Sequence, residues 1–438
     1  MTGSVSPILM FVLLFIFLGL GIPIAFSLAA VAVIFAVPLW GINSLNLLVS
    51  AAWGSMNNFV VVAVPLFIYM AYILQKTNVV EDLYEMIFKW SGGLRGGLAI
   101  ATIVVGAILG AVSGVVAAGV IGLGLIGLPQ MLRRKYEKNL AIGSVLGGGT
   151  LGQLIPPSTN MVIYGCVTGV SIGGLFAGGL SAGIFLAGLY IIYVLVRAFI
   201  NPSLAPALPL EDRATWSEKL ISLRSIFFPA LLIIMVLGTI LKGVASPTEA
   251  AAFGAGGALL IGLVKRRLTW SIIYSSCYET LLVSSMVGWT MIGAGAFGAV
   301  FSGLGGNVLV ASVAINMPGG PAMVFTIFSI FIFFLGMFLE PGAIIFLAAP
   351  IMAPIIVRLG YDALWFGLVF NVLLQCGYLS PPFGLSLFYL HSCGTKGVSI
   401  VDIYRAGIPF LFIQVICVVT IFIFPQIVLW LPGYVLGR

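Results

Sequence analysis

The chain has 438 residues, of which 61% are hydrophobic and only 7% are charged. Soluble domains carry about 25% charged residues, so this composition excludes a water-soluble protein and places the chain in a lipid bilayer. The net charge of +7 is expected to reflect cytoplasmic loops, and no nucleic-acid partner is expected. The five cysteines show no metal-ligand spacing, and we interpret them as free thiols.

The N-terminal segment is predicted to be a retained membrane span. The first charged residue is Lys76, whereas a secretory signal peptide begins with a positively charged stretch. Other apolar runs long enough to cross a bilayer follow along the chain. In order, the candidate spans are 7–22, 24–40, 58–75, 98–131, 139–167, 172–198, 224–241, 247–264, 281–303, 321–357, 362–391 and 406–432.

Two of these segments are predicted to be re-entrant helical hairpins. Segments 98–131 and 321–357 are too long for one crossing and too short for two crossings with a loop. Each also carries small or helix-breaking residues near its middle. The predicted tips are Ser113-Gly114-Val115 and Glu340-Pro341-Gly342.

Two other segments carry adjacent prolines in their interior. Proline removes a backbone donor and breaks a helix, and an unpaired backbone group in lipid costs several kcal/mol. Segments 139–167 and 362–391 are therefore predicted to be discontinuous helices. The breaks are expected at Pro156-Pro157 and Pro381-Pro382.

The distribution of Lys and Arg sets the expected orientation. All of these residues except Lys242, Arg358 and Arg438 fall in five segments, which we assign to the cytoplasm: 76–97, 131–139, 197–224, 265–267 and 393–405. This bias places both termini on the non-cytoplasmic side of the membrane. It also opens the first hairpin from the cytoplasm and the second from the opposite face.

The proline breaks lie in an internal repeat. Aligning 129–157 with 354–382 pairs Arg133 with Arg358 and one Gly-x-Leu-x-Pro-Pro run with another, at an offset of 225 positions and without a gap. Because the charge bias gives the two copies opposite orientations, we predict an all-α polytopic membrane protein with inverted repeats, two re-entrant hairpins and two discontinuous helices. The alternative is a chance pair of diprolines.

The repeat divides the chain into predicted units. They are scaffold helices of the first repeat (1–75), an interfacial arm helix (76–97), the first hairpin, broken helix and following span (98–198), a cytoplasmic linker (199–223), scaffold helices of the second repeat (224–304), a second arm region (305–320), the second hairpin and broken helix (321–391), and a cytoplasmic loop with the last span (392–438).

The helix breaks are the candidate binding sites. A broken helix frees carbonyl groups, which attract cations, and amide groups, which attract anions. Pockets lined by oxygen suit Na⁺, so we expect two or more Na⁺ sites, no other metal and no organic cofactor. The predicted first site is Ser113, Gly114, Val115, Gly149, Thr150 and Gly152, and the second is Glu340, Pro341, Gly342, Gly377, Leu379 and Ser380.

Neutral polar residues beside the breaks have two interpretations. They are predicted to line a substrate cavity, or alternatively to join helices through hydrogen bonds. The residues are Gln153, Ser158, Thr159, Asn160, Asn371, Gln375 and Ser386.

Glu340 is the one acid in the middle of a predicted intramembrane segment. Intramembrane carboxylates are costly and functional by default, so Glu340 is expected to bind a cation, carry a proton or contact the substrate. The alternative is a solvated residue at a hairpin tip. Glu249 is equally well explained as a helix cap, and the single histidine, His391, supports neither a metal site nor a catalytic triad.

At these motifs the sequence resembles the large membrane subunit of the tripartite ATP-independent periplasmic (TRAP) transporters, the DctM-like family. The resemblance covers nearly the whole chain and rests on motifs that include GTLGQLIPPS (149–158), SPTEAAA (246–252), LEPGAIIFLAAPIMAPI (339–355) and LSPPFGLSLFYL (379–390). Many relatives carry Ser-Gly-Ser-Ser-Ala at the first tip and Asp at the second. Here the residues are Ser113-Gly114-Val115-Val116-Ala117 and Glu340.

The resemblance implies a transporter subunit and not an enzyme. It implies Na⁺-coupled uptake of a small organic acid anion, with the hairpins and broken helices moving like an elevator against a scaffold. It also implies two protein partners, a small four-helix membrane subunit and a periplasmic substrate-binding protein. The alternatives are a proton-coupled organic-acid carrier, an ion channel, a membrane-embedded enzyme and a structural scaffold.

Overall fold

The computed structural model describes residues 5–209, 211 and 213–437. The predictions for residues 1–4 and Arg438, and for the side chain of Ser113, lie outside this description. Within the described residues every regular element is helical, with twenty-one α-helices and four short 3-10 helices. Eight helical stretches are long and apolar enough to cross a membrane, judged by length and composition. The chain is therefore a polytopic α-helical membrane protein.

The first half of the chain contains the first hairpin and the first broken helix. The hairpin predicted at 98–131 is a pair of helices, and so is the broken helix predicted at 139–167. One helix, at 45–56, was not predicted, because Asn, Ser and Gly residues interrupt its apolar run. The helices are α1 (Val5–Gly19), α2 (Ile24–Trp40), α3 (Leu45–Met56), α4 (Ala63–Lys76), α5 (Val79–Ser91), α6 (Gly97–Ser113), α7 (Val116–Arg133), α8 (Lys138–Thr150), α9 (Thr159–Thr168) and α10 (Ile172–Ile200).

The second half repeats the order of hairpin, broken helix and long helix. The second arm region, 305–320, contains one short helix at Gly306–Ile315. The helices are α11 (Trp216–Ser222), α12 (Arg224–Leu241), α13 (Pro247–Val264), α14 (Trp270–Gly303), α15 (Gly306–Ile315), α16 (Gly320–Gly336), α17 (Pro341–Arg358), α18 (Ala363–Leu379), α19 (Leu385–Ser392), α20 (Ile400–Ile423) and α21 (Gln426–Leu436).

Two predicted span boundaries are wrong. The span predicted at 281–303 starts eleven residues earlier, at Trp270, because its polar first turns include Glu279, whose charge is paired with Lys76 at 2.8 Å. The span predicted at 406–432 is two helices, α20 and α21, with Pro425 between them. Moreover, α20 begins inside the predicted loop 393–405, because Ser399 and Asp402 form a capping box there.

Glycines bring the hairpins against the broken helices. A Cβ atom added to Gly106 of α6 would lie 2.3 Å from the carbonyl oxygen of Gly148 in α8. One added to Gly110 would lie 2.5 Å from the Cα atom of Gly152. In the second half, a Cβ atom on Gly377 would lie 2.6 Å from the Cα atom of Gly336. Small residues allow such backbone contact between helices in a membrane, and here they place each hairpin beside a break.

The segments assigned to the cytoplasm gather at one end of the molecule. Asp82 of α5 pairs with Lys265 at 2.6 Å, which joins segment 76–97 to segment 265–267. Lys138 pairs with Asp402 at 2.5 Å, which joins segment 131–139 to segment 393–405. The linker 197–224 joins them through the amide of Glu137, which donates to the carbonyl of Leu204 at 2.8 Å. Most basic residues therefore share one end, as the orientation argument requires.

Several elements of the two halves keep a constant spacing. Helices α7 and α17 begin at residues 116 and 341 and end at residues 133 and 358, so both bounds are 225 positions apart. Helices α8 and α18 begin at residues 138 and 363, which is the same interval. The cis proline bonds Pro156-Pro157 and Pro381-Pro382 also keep it. The hydrogen bond of 3.2 Å from Gln375 Nε2 to Thr150 Oγ1 joins two residues 225 apart.

Candidate functional site

The first break lies in the interior of the protein. Helix α8 ends at Thr150, a 3-10 turn follows at Leu151–Gln153, and α9 begins at Thr159. Residues 151–158 are all buried. Ser158 caps α9, and its hydroxyl donates to the carbonyl of Gln153 at 2.5 Å. Buried backbone carbonyls need a hydrogen-bond donor, and the helix break removes the helical donor of the Gln153 carbonyl. The Ser158 hydroxyl replaces that donor.

The tip of the first hairpin is seated on this break. Gly114 has a positive φ of 59°, which glycine adopts without steric cost. A Cβ atom there would lie 2.3 Å from the carbonyl oxygen of Pro157. The Thr159 hydroxyl donates to the carbonyl of Gly114 at 3.5 Å. The tip and the break predicted to form the first cation site are therefore in direct backbone contact.

The second break is built in a similar way. Helix α18 ends at Leu379 and α19 begins at Leu385. The Ser380 hydroxyl donates to the carbonyl of Gly377 at 2.9 Å, and the Ser386 hydroxyl donates to the carbonyl of Tyr378 at 2.5 Å. Residues 153 and 378 are 225 positions apart, so a serine hydroxyl covers the equivalent carbonyl in each break.

The two breaks differ in their exposure. Pro382 and Phe383 of the second break are exposed, with 54% of the Phe383 surface accessible, whereas residues 151–158 are buried. The second hairpin reaches this loop through Phe338, whose ring centroid lies 5.8 Å from that of Phe383. The first tip contacts its break through backbone atoms, and the second contacts its break through partly exposed rings.

Glu340 is half-buried at the N-terminal end of α17. Its carboxylate folds back over the first turn, since a Cβ atom on Gly342 would lie 3.1 Å from Glu340 Oε2. No Lys or Arg side chain forms an ion pair with Glu340 in the described part of the chain. The carboxylate therefore lies at a hairpin tip without a basic partner.

The amide side chains predicted beside the breaks lie between the two broken helices. Gln153 Nε2 donates to the carbonyl of Asn371 at 3.3 Å, and Gln375 bonds to Thr150. All three amide residues are buried, and their side-chain oxygens have no hydrogen-bond partner among the described residues. Asn160 is buried and Thr159 is half-buried, both in the first turn of α9 beside the first tip.

Two residues singled out in the sequence have structural explanations. Glu249 forms a capping box with Ser246, because its Oε2 accepts hydrogen bonds from the Ser246 amide at 2.7 Å and the Ser246 hydroxyl at 2.8 Å. His391 lies in the last turn of α19. No group of three or more His, Cys, Asp or Glu residues that could hold a metal occurs in residues 5–209, 211 and 213–437.

Replacing Ser158 or Ser386 with Ala is expected to lower the thermal unfolding midpoint of the purified protein. Each change leaves a buried carbonyl, that of Gln153 or Tyr378, without its hydroxyl donor. An unsatisfied buried acceptor costs about 1–3 kcal/mol. The matched control is Ser392→Ala, which removes an exposed hydroxyl that donates to the Tyr389 carbonyl at 2.7 Å. Equal midpoints for all three variants would show that the two hydroxyls do not support the breaks.

An all-helical apolar chain with hairpins seated on broken helices has the architecture in which secondary transporters bind their ions and substrates. A family model described as "Tripartite ATP-independent periplasmic transporter, DctM component" matches residues 11–427. The chain belongs to this DctM family, which confirms the resemblance seen in its motifs. It is a transporter component and not an enzyme.

Relatives of known name match over nearly the whole chain. The ectoine TRAP transporter large permease protein TeaC of Halomonas elongata is 29% identical over 415 residues, which cover 94% of this chain and 95% of that protein. The ectoine/5-hydroxyectoine TRAP transporter large permease protein UehC of Ruegeria pomeroyi is 30% identical, with coverage of 96% and 97%. The sialic acid TRAP transporter permease protein SiaT of Haemophilus influenzae is 27% identical, and the match covers only 69% of it.

A solved structure supports the fold. The YdaH transporter of Alcanivorax borkumensis superimposes with a TM-score of 0.62, at 14% sequence identity, and the match covers 95% of this chain and 98% of that one. At this identity the likeness shows the fold alone.

Proposed function

We propose that this chain is the substrate-translocating subunit of a TRAP transporter that takes up a small organic acid anion together with Na⁺. The substrate is delivered by a periplasmic binding protein, and a small four-helix membrane subunit completes the complex. The observation that carries this proposal is the pair of hairpin tips beside two helix breaks, in a family whose description names a tripartite periplasmic transporter. The match covers 98% of this chain but only 69% of the permease protein SiaT. The remaining part of SiaT is long enough to hold a second membrane component, which supports such a partner here.

The two halves are inverted repeats in this proposal. The constant interval of 225 positions between α7 and α17 supports a repeat. The contact between Thr150 and Gln375 supports a two-fold axis, because equivalent residues meet only near the axis that relates them. The inversion follows from the charge bias: Arg133 at the end of α7 lies among the cytoplasmic segments, and Arg358 at the end of α17 does not. Both termini then face the periplasm.

Na⁺ binds between the tips and the breaks. The elements that meet there provide carbonyl and hydroxyl oxygens, and Glu340 adds a negative charge at the second site. No Lys or Arg lies between residues 139 and 196 or between 359 and 395, so no basic side chain of the broken helices can neutralise an anionic substrate. Bound cations and the N-terminal ends of α9 and α19 supply the positive potential, which makes transport dependent on Na⁺.

The hairpins and broken helices move together against a scaffold. A cavity of about 410 Å³ lies between α3 and α14 on one side and α17 on the other, lined in part by Gly54, Gly295, Gly298 and Pro350. Close-packed surfaces do not slide easily, so a gap with glycine on the scaffold side supports an elevator movement at this interface. The bacterial inner membrane surrounds the assembly.

The proposal is tested by uptake into proteoliposomes that contain the chain with its two protein partners. A panel of labelled ectoine, sialic acid, succinate and isethionate is offered with an inward Na⁺ gradient, with K⁺ replacing Na⁺ as the control. The expected result is accumulation of at least one of the three anions, sialic acid, succinate or isethionate, only with the Na⁺ gradient. Accumulation of the zwitterion ectoine alone would exclude an anionic substrate. Equal accumulation with and without Na⁺ would exclude Na⁺-coupled uptake.

Glu340 favours one second candidate, a proton-coupled carrier. A half-buried carboxylate without a basic partner can exchange a proton across the membrane as readily as it can bind Na⁺. The same vesicles with an inward proton gradient and no Na⁺ distinguish the two. Accumulation driven by the proton gradient alone would replace Na⁺ by H⁺ in the proposal.

A further inference from the structure

A tyrosine outside the predicted site contacts the second break. Tyr404 lies near the start of α20 and is half-buried. Its hydroxyl donates to the carbonyl of Pro382 at 3.0 Å, and Pro382 is the second proline of the break. The sequence pattern around Tyr404 gives no reason to single it out, since it lies in a segment that was predicted to be a loop.

The first break is supported in a different way, by Gly179 of α10. A Cβ atom on Gly179 would lie 2.7 Å from the carbonyl oxygen of Leu154, so the backbone of α10 packs directly on the first break. The carbonyl of Pro157, the equivalent of Pro382, is covered by the tip residue Gly114. Backbone packing from two sides thus fixes the first break.

The loop of the second break lacks that backbone support, although Gly377, just before the break, packs on the backbone of Gly336 in the second hairpin. Gly407 of α20 is farther from its break, since a Cβ atom there would lie 3.6 Å from the carbonyl oxygen of Leu379. A Cβ atom on Gly342 of the second tip would have only the Glu340 carboxylate within its three nearest contacts. The exposed loop of Pro382 and Phe383 is therefore held by the Tyr404 hydroxyl and by the Phe338 ring.

Only some backbone carbonyls of the second break accept a hydrogen bond. Those of Gly377, Tyr378 and Ser380 accept hydrogen bonds from Ser380, Ser386 and the Gly384 amide respectively. The carbonyls of Leu379, Pro381 and Phe383 accept none from the residues that the structure describes, and of these only Leu379 ends a helix, α18. The C-terminal end of a helix attracts a cation, and the placement of the Leu379 carbonyl depends on the loop that follows it.

We propose that Tyr404 is a positioning residue for the second cation site. Its hydroxyl holds the loop after Leu379 in the conformation that leaves the Leu379 carbonyl free to bind Na⁺. Tyr404 does not touch the ion, and its hydrogen bond holds a loop that has no backbone packing like that of Gly179 at the first break. This inference rests on the proposed Na⁺ coupling. It implies that backbone packing holds the first cation site and that a side-chain hydrogen bond holds the second.

The test is Na⁺-dependent thermal stabilisation of the purified full chain, with choline as the replacing cation. Tyr404→Phe removes only the hydroxyl, and Tyr434→Phe is the control, because Tyr434 is 85% exposed on α21. Loss of one hydrogen bond is expected to raise the Na⁺ concentration at half-maximal stabilisation about three- to tenfold in Tyr404→Phe. Its unfolding midpoint without Na⁺ should fall only slightly, because Pro382 is exposed and water can replace the lost donor, and the loss of stability should be larger with Na⁺ than without it.

The possible outcomes separate this inference from the function on which it rests. If Na⁺ stabilises the wild type and Tyr404→Phe with the same midpoint concentration, Tyr404 is not a positioning residue and the coupling proposal stands. If Tyr404→Phe is destabilised equally with and without Na⁺, its role is structural and the inference fails. If Na⁺ does not stabilise the wild type, the Na⁺ sites themselves are absent and both proposals fail.

Discussion

Replacing Glu340 with Gln is expected to raise the Na⁺ concentration at half-maximal uptake by about ten- to a hundredfold. The carboxylate lies at the second tip without a basic partner, so its charge is available to a bound cation. Gln keeps the size and removes the charge, and charge-assisted contacts are the strong ones. The measurement is initial uptake into proteoliposomes against Na⁺ concentration, with the binding protein saturated by substrate.

Glu249→Gln is the matched control for this variant. Glu249 is an acid at the N-terminal end of another apolar helix. Its carboxylate accepts hydrogen bonds from Ser246, so its role there is to cap the helix. Its loss should lower stability by about 1 kcal/mol and leave the Na⁺ dependence of uptake unchanged. An unchanged rate and Na⁺ dependence in Glu340→Gln would remove Glu340 from the site.

Adding one methyl group at the hairpin–break contacts is expected to abolish uptake. In Gly110→Ala the new Cβ atom would lie 2.5 Å from the Gly152 Cα atom, and in Gly377→Ala it would lie 2.6 Å from the Gly336 Cα atom. Both clashes are with backbone, so a hairpin must move away from its break. Overpacking of this kind costs about 1–3 kcal/mol, and the displaced tip no longer completes the cation site.

The control for the glycine variants is Gly188→Ala in α10. Nothing lies within 4 Å of a Cβ atom at Gly188, so the change relieves only the low helix propensity of glycine. Thermal unfolding midpoints and uptake rates of the three variants are compared at equal protein density. Full activity in Gly110→Ala and Gly377→Ala would show that close backbone contact is not needed at the breaks.

The sequence predicted the hairpins and breaks well, because each depends on a strong local rule. The thickness of a bilayer fixes the length of a span. The excess length of 98–131 and 321–357 therefore predicted that each segment is a pair of helices. Proline removes a donor wherever it occurs, so Pro156-Pro157 and Pro381-Pro382 led to the breaks. Basic residues avoid the hydrocarbon, which is again a local rule. The segments that are rich in Lys and Arg therefore contact one another in the structure.

Features that depend on tertiary contacts were not predictable. Glu279 extends α14 beyond the apolar run because Lys76 neutralises it from another helix. The sequence allows both cavity lining and helix pairing for Gln153 and Gln375, and in the structure both lie between the broken helices. Tyr404 was missed altogether. No local pattern marks it, because its hydroxyl donates to the carbonyl of Pro382, which lies 22 residues away in the chain.

The central claim is that the two helix breaks are Na⁺ sites, and equilibrium binding of ²²Na⁺ to the purified chain tests it most directly. We predict saturable binding of at least two Na⁺ per chain, competed by unlabelled Na⁺ and not by K⁺. Gly110→Ala and Gly377→Ala should each lose one site in protein that remains folded. An absence of saturable Na⁺ binding in wild-type chain that still supports substrate uptake would contradict the claim.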